Sequence, residues 1–209
     1  FESYKEIEKK VFLVKTSRCN FFTKSLVFAV QRPTLEKVKQ FKKIKSLTNS
    51  VLNVSLNRIY AIFPIRNCAW FKNIPKTITD SKLSYFIPIN EKNGLAMISY
   101  TDDEKAKYFK KLSEKNNDEM IDYLVDECKK IFGISDIPRP IWWKTCFWQY
   151  GVADWKATFN SSKVSKKIIK PFSNKKVFIC GENYSKKFQC WIEGALKTAE
   201  NVFIKLDSK

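Results

Sequence analysis

Two short runs near the end of the chain carry the residue types that could do chemistry. Val177 to Glu182 (VFICGE) closes on a glycine and an acid, and Trp191 to Leu196 (WIEGAL) follows after a short loop. A glycine ending a buried strand lets a ligand approach the backbone, and Glu182 just beyond it offers a carboxylate to hydroxyls or to a water on a phosphate. A helix starting near Glu193 would turn its free N–H groups and positive dipole end toward the same region. Gly194 and Ala195 are small and leave room for a flat ring. This spacing suits a planar ligand that carries negative charge. Glu193 reads as an acid complementing the helix start. Cys190 has no base or second cysteine within local reach and reads as inert.

Other chemistries are excluded by composition. The 209 residues include no histidine, so a Ser-His or Cys-His dyad and the usual His-bearing zinc sites are absent. The chain has five glycines and contains neither G-x-G-x-x-G nor G-x-x-x-x-G-K-[ST], so it holds no complete classical nucleotide site. Six scattered cysteines form no C-x-x-C pair, which predicts reduced thiols and no metal site. No apolar run is long enough to span a bilayer and no leader pattern is present, which predicts a soluble intracellular protein in a reducing compartment. The chain begins with Phe1, which reads as a processed product, an incompletely seen chain or the later part of something larger.

The elements that must position these residues follow from local pattern. Strand-like runs at Lys10 to Lys15 and Ser25 to Val30 surround the polar stretch Thr16 to Asn20 and predict a hairpin or meander. Pro33 opens a lysine-rich helical stretch to about Lys43, with Leu35, Val38 and Phe41 at helical spacing, and a turn over Ser46 to Ser50 follows. Leu56 to Phe63, Leu83 to Ile87 and Leu95 to Tyr100 read as strands, with Asn93-Gly94 marking a turn. Asp102 to Glu114 and Asp118 to Phe132 read as helices, the second capped by Asn117 and ended by Gly133. Ile141 to Trp148 is an aromatic strand whose Trp142, Trp143 and Trp148 are expected in the core, and a lysine-rich loop follows Trp155. The closing helix is expected to set Ile192, Ala195, Leu196, Ala199, Val202, Phe203 and Leu206 on one face. Strands alternating with helices, without an internal repeat, predict a mixed α/β architecture.

The net charge of +18 invites a polyanion contact, yet 34 of the 39 cations are lysine and only five are arginine. Base and phosphate recognition favours the arginine fork, so the clusters Lys37 to Lys45 and Lys163 to Lys176 read first as solvated faces.

Gly181-Glu182 together with Trp191 to Leu196 resembles the C-terminal flavin-binding motif of the flavin-containing amine oxidase family, which includes monoamine and polyamine oxidases. Lys24 to Leu35, Leu56 to Pro64 and Tyr150 to Trp155 resemble further family segments, so the resemblance covers roughly Val11 to Phe203. It implies FAD bound through Gly181, Glu182, Trp191, Ile192 and Ala195, the helix start stabilising the negative charge that a reduced flavin carries near N1 and O2. Trp155 and Trp191 match the two walls of the family's aromatic cage, which would steer an amine toward the flavin. Family members that attach FAD covalently carry a cysteine before the second cage aromatic; Asp154 stands there, which implies non-covalent flavin. The family's lysine near flavin N5 falls around Leu56 to Arg58, where Asn57 and Arg58 stand instead. The dinucleotide fingerprint of the family's N-terminal half does not occur in these residues.

The resulting expectation is an α/β, amine-oxidase-like fold with a discontinuous FAD-binding domain. Residues 1–32 would supply its β-meander and 146–209 its closing part, while 33–145 would form a mixed sheet-and-helix substrate domain. The implied activity is oxidation of an amine to an imine by hydride transfer to flavin, with oxygen as acceptor. An N-terminal half or a partner chain would complete the flavin site. The alternative is a catalytically degenerate fold serving as a basic scaffold or polyanion-binding protein.

Overall fold

The structure is a computed structural model and describes residues 1–8 and 10–207, so the last two residues of the expected closing segment lie outside it. In chain order the strands and helices are β1 (Ser3–Glu8), β2 (Val11–Lys15), β3 (Asn20–Thr23), β4 (Leu26–Phe28), α1 (Arg32–Glu36), α2 (Lys45–Thr48), β5 (Val51–Ile62), β6 (Thr77–Ile78), β7 (Tyr85–Asn90) and β8 (Leu95–Asp102). They continue with α3 (Asp103–Lys115), α4 (Asn117–Phe132), β9 (Trp142–Trp155), α5 (Ser161–Ile168), β10 (Val177–Ile179) and α6 (Ile192–Asp207). This is a mixed α/β fold with antiparallel sheets and helices. Among the described residues no helix is long and apolar enough to cross a membrane.

The chain divides into two compact units, residues 1–53 with 152–209, and residues 54–151. These junctions differ from the expected 32/33 and 145/146. The reason lies in the residues after Arg32: Leu35, Val38, Phe41 and Ile44 are buried in one cluster with Tyr4, Phe12 and Phe28. Burial of those apolar groups commits α1 and the 3-10 turn Lys39–Ile44 to the first unit.

In the first unit β1, β2 and β3 form an antiparallel three-stranded sheet, and β4 pairs parallel with β10. The expected partnership of the two opening strand runs is thereby corrected: β2 pairs with β3, which begins at the last residue of the polar stretch Thr16 to Asn20, while β4 pairs Leu26 with Val177 and Phe28 with Ile179. β10 is buried at all three residues, as parallel strands generally are. The lysine-rich stretch after Trp155 is also more ordered than expected. Asn160 caps α5 by accepting from the Lys163 N–H at 2.9 Å, and Val164 and Ile168 make its buried stripe.

In the second unit the sheet order is β6-β7-β8-β5-β9, counting β5 and β9 although their ends belong to the first unit. Its core gathers Ile59, Phe63, Phe86, Ile98, Phe109 and Leu124. Helix α4 buries Met120, Ile121, Leu124, Val125 and Cys128 at helical spacing. Its cap is Asn116, one residue earlier than expected, whose side chain accepts from Asp118 and Glu119 N–H groups at 3.1 Å. Gly133 ends it at φ 64°, a left-handed conformation that glycine adopts at no steric cost. Trp142 and Trp148 are each 45% exposed, so they do not fill the core; Trp143 packs against it in part.

Candidate functional site

The region around Gly181 is built by two neighbouring segments and α6. β10 delivers Gly181 at φ 127°, a conformation costly for any other residue, and a Cβ there would meet no atom within 4 Å. The Thr198 hydroxyl holds it. Its oxygen accepts from the Gly181 N–H at 2.9 Å and lies 3.0 Å from both the Gly181 and the Ala195 carbonyl oxygens, which share its one O–H proton. Thr198 is 5% exposed, so these bonds are made away from water. Thr198 carries no signal in the sequence, because a threonine in a helix reads as neutral until its partner is known.

Glu182 opens a short 3-10 turn, Glu182–Tyr184. Its carboxylate accepts from the Cys190 N–H at 3.0 Å and so closes the loop that leads to α6. Burial pushes its pKa up, hydrogen bonds from the Cys190 and Ala153 backbone oppose this, and nearby Asp154 adds to the rise. Cys190, at φ 69°, places its Sγ 3.4 Å from Asp154 Oδ1 and from the Ala153 carbonyl. The carboxylate absent from the local sequence thus arrives from β9. It does not activate the thiol: burial first, then the hydrogen bond to Asp154, push Cys190 up to about 12.

Trp155 is tied to the same loop. Its backbone N–H donates to Gln189 Oε1 at 3.0 Å, and its indole Nε1–H donates to the Ser185 carbonyl at 3.3 Å. Its ring meets Tyr184 edge-on at 6.3 Å. Tyr184 is in turn fixed by a bond from its hydroxyl to the Thr48 carbonyl at 3.0 Å. Trp191 is 69% exposed at the start of α6. No ring contact joins Trp155 and Trp191 among the described residues, but the bonds of Gln189 and Cys190 bring their two segments side by side.

At α6 itself Ile192 is 77% exposed and Ala195 is half-buried. The backbone bonds of this turn run from Trp191 N to Phe188 O at 3.3 Å and from Gly194 N to Trp191 O at 3.0 Å. Ile192 N–H belongs to the first turn, whose amides have no intrahelical acceptor. Gly194 does not leave room for a ligand: a Cβ there would stand 2.0 Å from the Phe188 carbonyl oxygen, so its smallness serves the close approach of its own loop. The expected apolar face of α6 is also revised. The buried positions are Gly194, Thr198 and Val202, while Leu196 and Phe203 are 64% and 68% exposed.

In the second unit Asn57 is fully buried, and neither its Oδ1 nor its Nδ2 has a hydrogen-bond partner. Arg58 lies on the opposite face of β5, its guanidinium 4.8 Å from the Tyr100 ring centre and 5.9 Å from that of Trp148. Among the described residues no group of three or more Cys, Asp or Glu side chains is placed to hold a metal ion.

No curated protein matches this sequence. A family model described as flavin containing amine oxidoreductase matches residues 6–202, which includes Trp155, Gly181, Glu182, Trp191, Ile192, Ala195 and Thr198.

Proposed function

The chain belongs to the flavin-containing amine oxidoreductase family, and from that premise we propose that it forms part of an FAD-dependent enzyme oxidising an amine to an imine, with oxygen as acceptor. The observation that carries the reading is the joint at Gly181, where open backbone and the exposed first turn of α6 are locked together by Thr198. The residues present fit the ring end of a flavin: nothing obstructs Gly181, and Trp191 and Ile192 are accessible. FAD, when bound, supplies the two-electron acceptor. The Ile192 N–H and the positive end of α6 would stabilise negative charge on it. Trp155 and Trp191 would wall the amine, with Trp155 held by Gln189 and Ser185. Ala195 would allow close approach, and Asp154 in the attaching position implies non-covalent binding.

On this reading the flavin contacts and both cage tryptophans belong to the unit of residues 1–53 and 152–209. A dinucleotide-binding half, on a longer chain or a partner chain, completes the cofactor site. The test is a visible spectrum of the protein isolated from its native source, followed by amine-dependent hydrogen peroxide release. The expected result is flavin absorption, with Trp191→Ala and Trp155→Ala raising KM for the amine. A colourless protein that neither takes up FAD nor turns over amines would leave the second reading, a degenerate fold acting as a basic scaffold. Asn57 and Arg58 in place of the family's lysine favour that reading.

A further inference from the structure

A cavity of about 720 Å³ lies between α5, the loop Tyr184 to Phe188 and α6, and shares only Thr198 with the Gly181 joint. None of Gly181, Glu182, Trp191, Ile192 or Ala195 lines it. Its volume is that of a small-molecule site, which typically spans roughly 300–1,000 Å³. Lys166 from α5, Lys186 and Lys187 from the loop, and Lys197 and Lys205 from α6 all line it, and no carboxylate does. Lys197 is paired with Glu200 at 2.6 Å; the other four make no ion pair among the described residues. Five like charges converging from three segments on one concavity raise its positive potential, because low-dielectric walls focus the field.

The walls between these charges are apolar in character. Ile169 and Tyr184 are buried and Phe188 is 44% exposed. The buried hydroxyls on the wall already have partners: Ser165 donates to the Tyr184 carbonyl at 2.8 Å, Tyr184 to the Thr48 carbonyl at 3.0 Å, Thr198 is bonded to Gly181, and Ser185 accepts from the Phe188 N–H at 3.3 Å. The lysine stems add further hydrocarbon while their ammonium groups reach water. An occupant would therefore meet few unmet hydrogen bonds along its body and strong attraction at a negative end. A flat nucleotide base would find only Ser162 and Asn201 as uncharged side-chain partners, since the buried hydroxyls are spent.

We propose that this cavity binds an amphiphilic organic anion, a long-chain carboxylate or a close analogue, with its apolar body against Ile169, Tyr184 and Phe188 and its anion among the lysines. The site is independent of the flavin reading and stands or falls without it.

The test is calorimetric titration of the whole protein with dodecanoate, and with dodecylammonium as a cation of equal chain length. Dodecanoate should bind at one site per chain and at least about tenfold more tightly than the cation, with affinity falling as salt rises. Lys186→Glu with Lys187→Glu should weaken it at least about tenfold, while Lys37→Glu with Lys39→Glu, an equal charge change elsewhere, should have a much smaller effect. Ser162→Trp should block binding by filling the cavity, and Asn201→Trp serves if that variant does not fold. Equal affinity for the cation, equal loss in both double variants, or binding retained in a folded filled variant would each overturn the proposal. So would attachment to phosphatidylserine vesicles without binding of monomeric dodecanoate, which would assign the lysines to a membrane surface.

Discussion

Thr198 is the side chain on which the geometry around Gly181 depends. Thr198→Val keeps the shape but strips both Gly181 backbone groups of their partner, which should cost about 1–3 kcal/mol in urea unfolding. A loss below about 0.5 kcal/mol would show that the hydroxyl is dispensable. Glu182 makes a prediction with a sign. Its folded pKa is raised above the ordinary 4.5, so the folded state holds the proton more tightly than the unfolded chain. Stability is then fully present below that ordinary value and falls as pH rises through the folded one. Glu182→Gln should melt with the wild type at about pH 4 and above it at about pH 7; a variant that melts lower at neutral pH would sink the account. Cys190, pushed up to about 12, should be only about one part in ten thousand thiolate at pH 8. Although all three are exposed, iodoacetamide should therefore label Cys190 far more slowly than Cys19 or Cys68, and Asp154→Asn should speed its labelling.

Helix α6 separates what a sequence pattern states from what a fold uses. Its apolar residues repeat with helical spacing, yet burial goes to Gly194, Thr198 and Val202. Leu196→Ser and Phe203→Ser should each change stability by less than about 0.5 kcal/mol, whereas Val202→Ala should cost about 2 kcal/mol. Thermal unfolding of the three variants ranks the two faces directly. Helix α4 was legible because its stripe and terminating glycine agree within one continuous stretch, only the cap falling one residue earlier, and the strand Val177–Ile179 was legible as a short apolar run. Strand β3 was not, because Phe21 and Phe22 are exposed and give no alternation. Helix α5 was hidden because lysines outnumber Val164 and Ile168 in its sequence. At the site, Gly181, Glu182 and the start of α6 were readable from type and spacing. Thr198, Gln189 and Asp154 beside Cys190 were not, since their partners are fixed only by folding.

At the scale of the whole chain, the two units differ in how they are strung. Residues 54–151 form a continuous stretch with a core of their own, while the other unit joins the first 53 residues to those from Val152 onward. A fragment of residues 51–155, which keeps β5 and β9 whole, should unfold cooperatively, and a fragment ending at residue 151 should leave residues 1–53 open to protease. Limited proteolysis with mass mapping distinguishes these outcomes; equal protection of residues 1–53 in the truncated chain would count against the division. The net charge of +18 acts on the molecule as a whole and predicts retention on a polyanion matrix that is lost steeply with salt. The parallel pairing of β4 with β10 has a consequence for synthesis, because Leu26 must wait for Val177, 151 residues later. At roughly 5–20 residues per second, the ribosome takes about 8–30 s to deliver that partner. Through that interval Phe28, Leu35 and Phe41 stand without the strand that covers them, so the nascent chain offers a timed binding site to a chaperone that the finished protein withdraws.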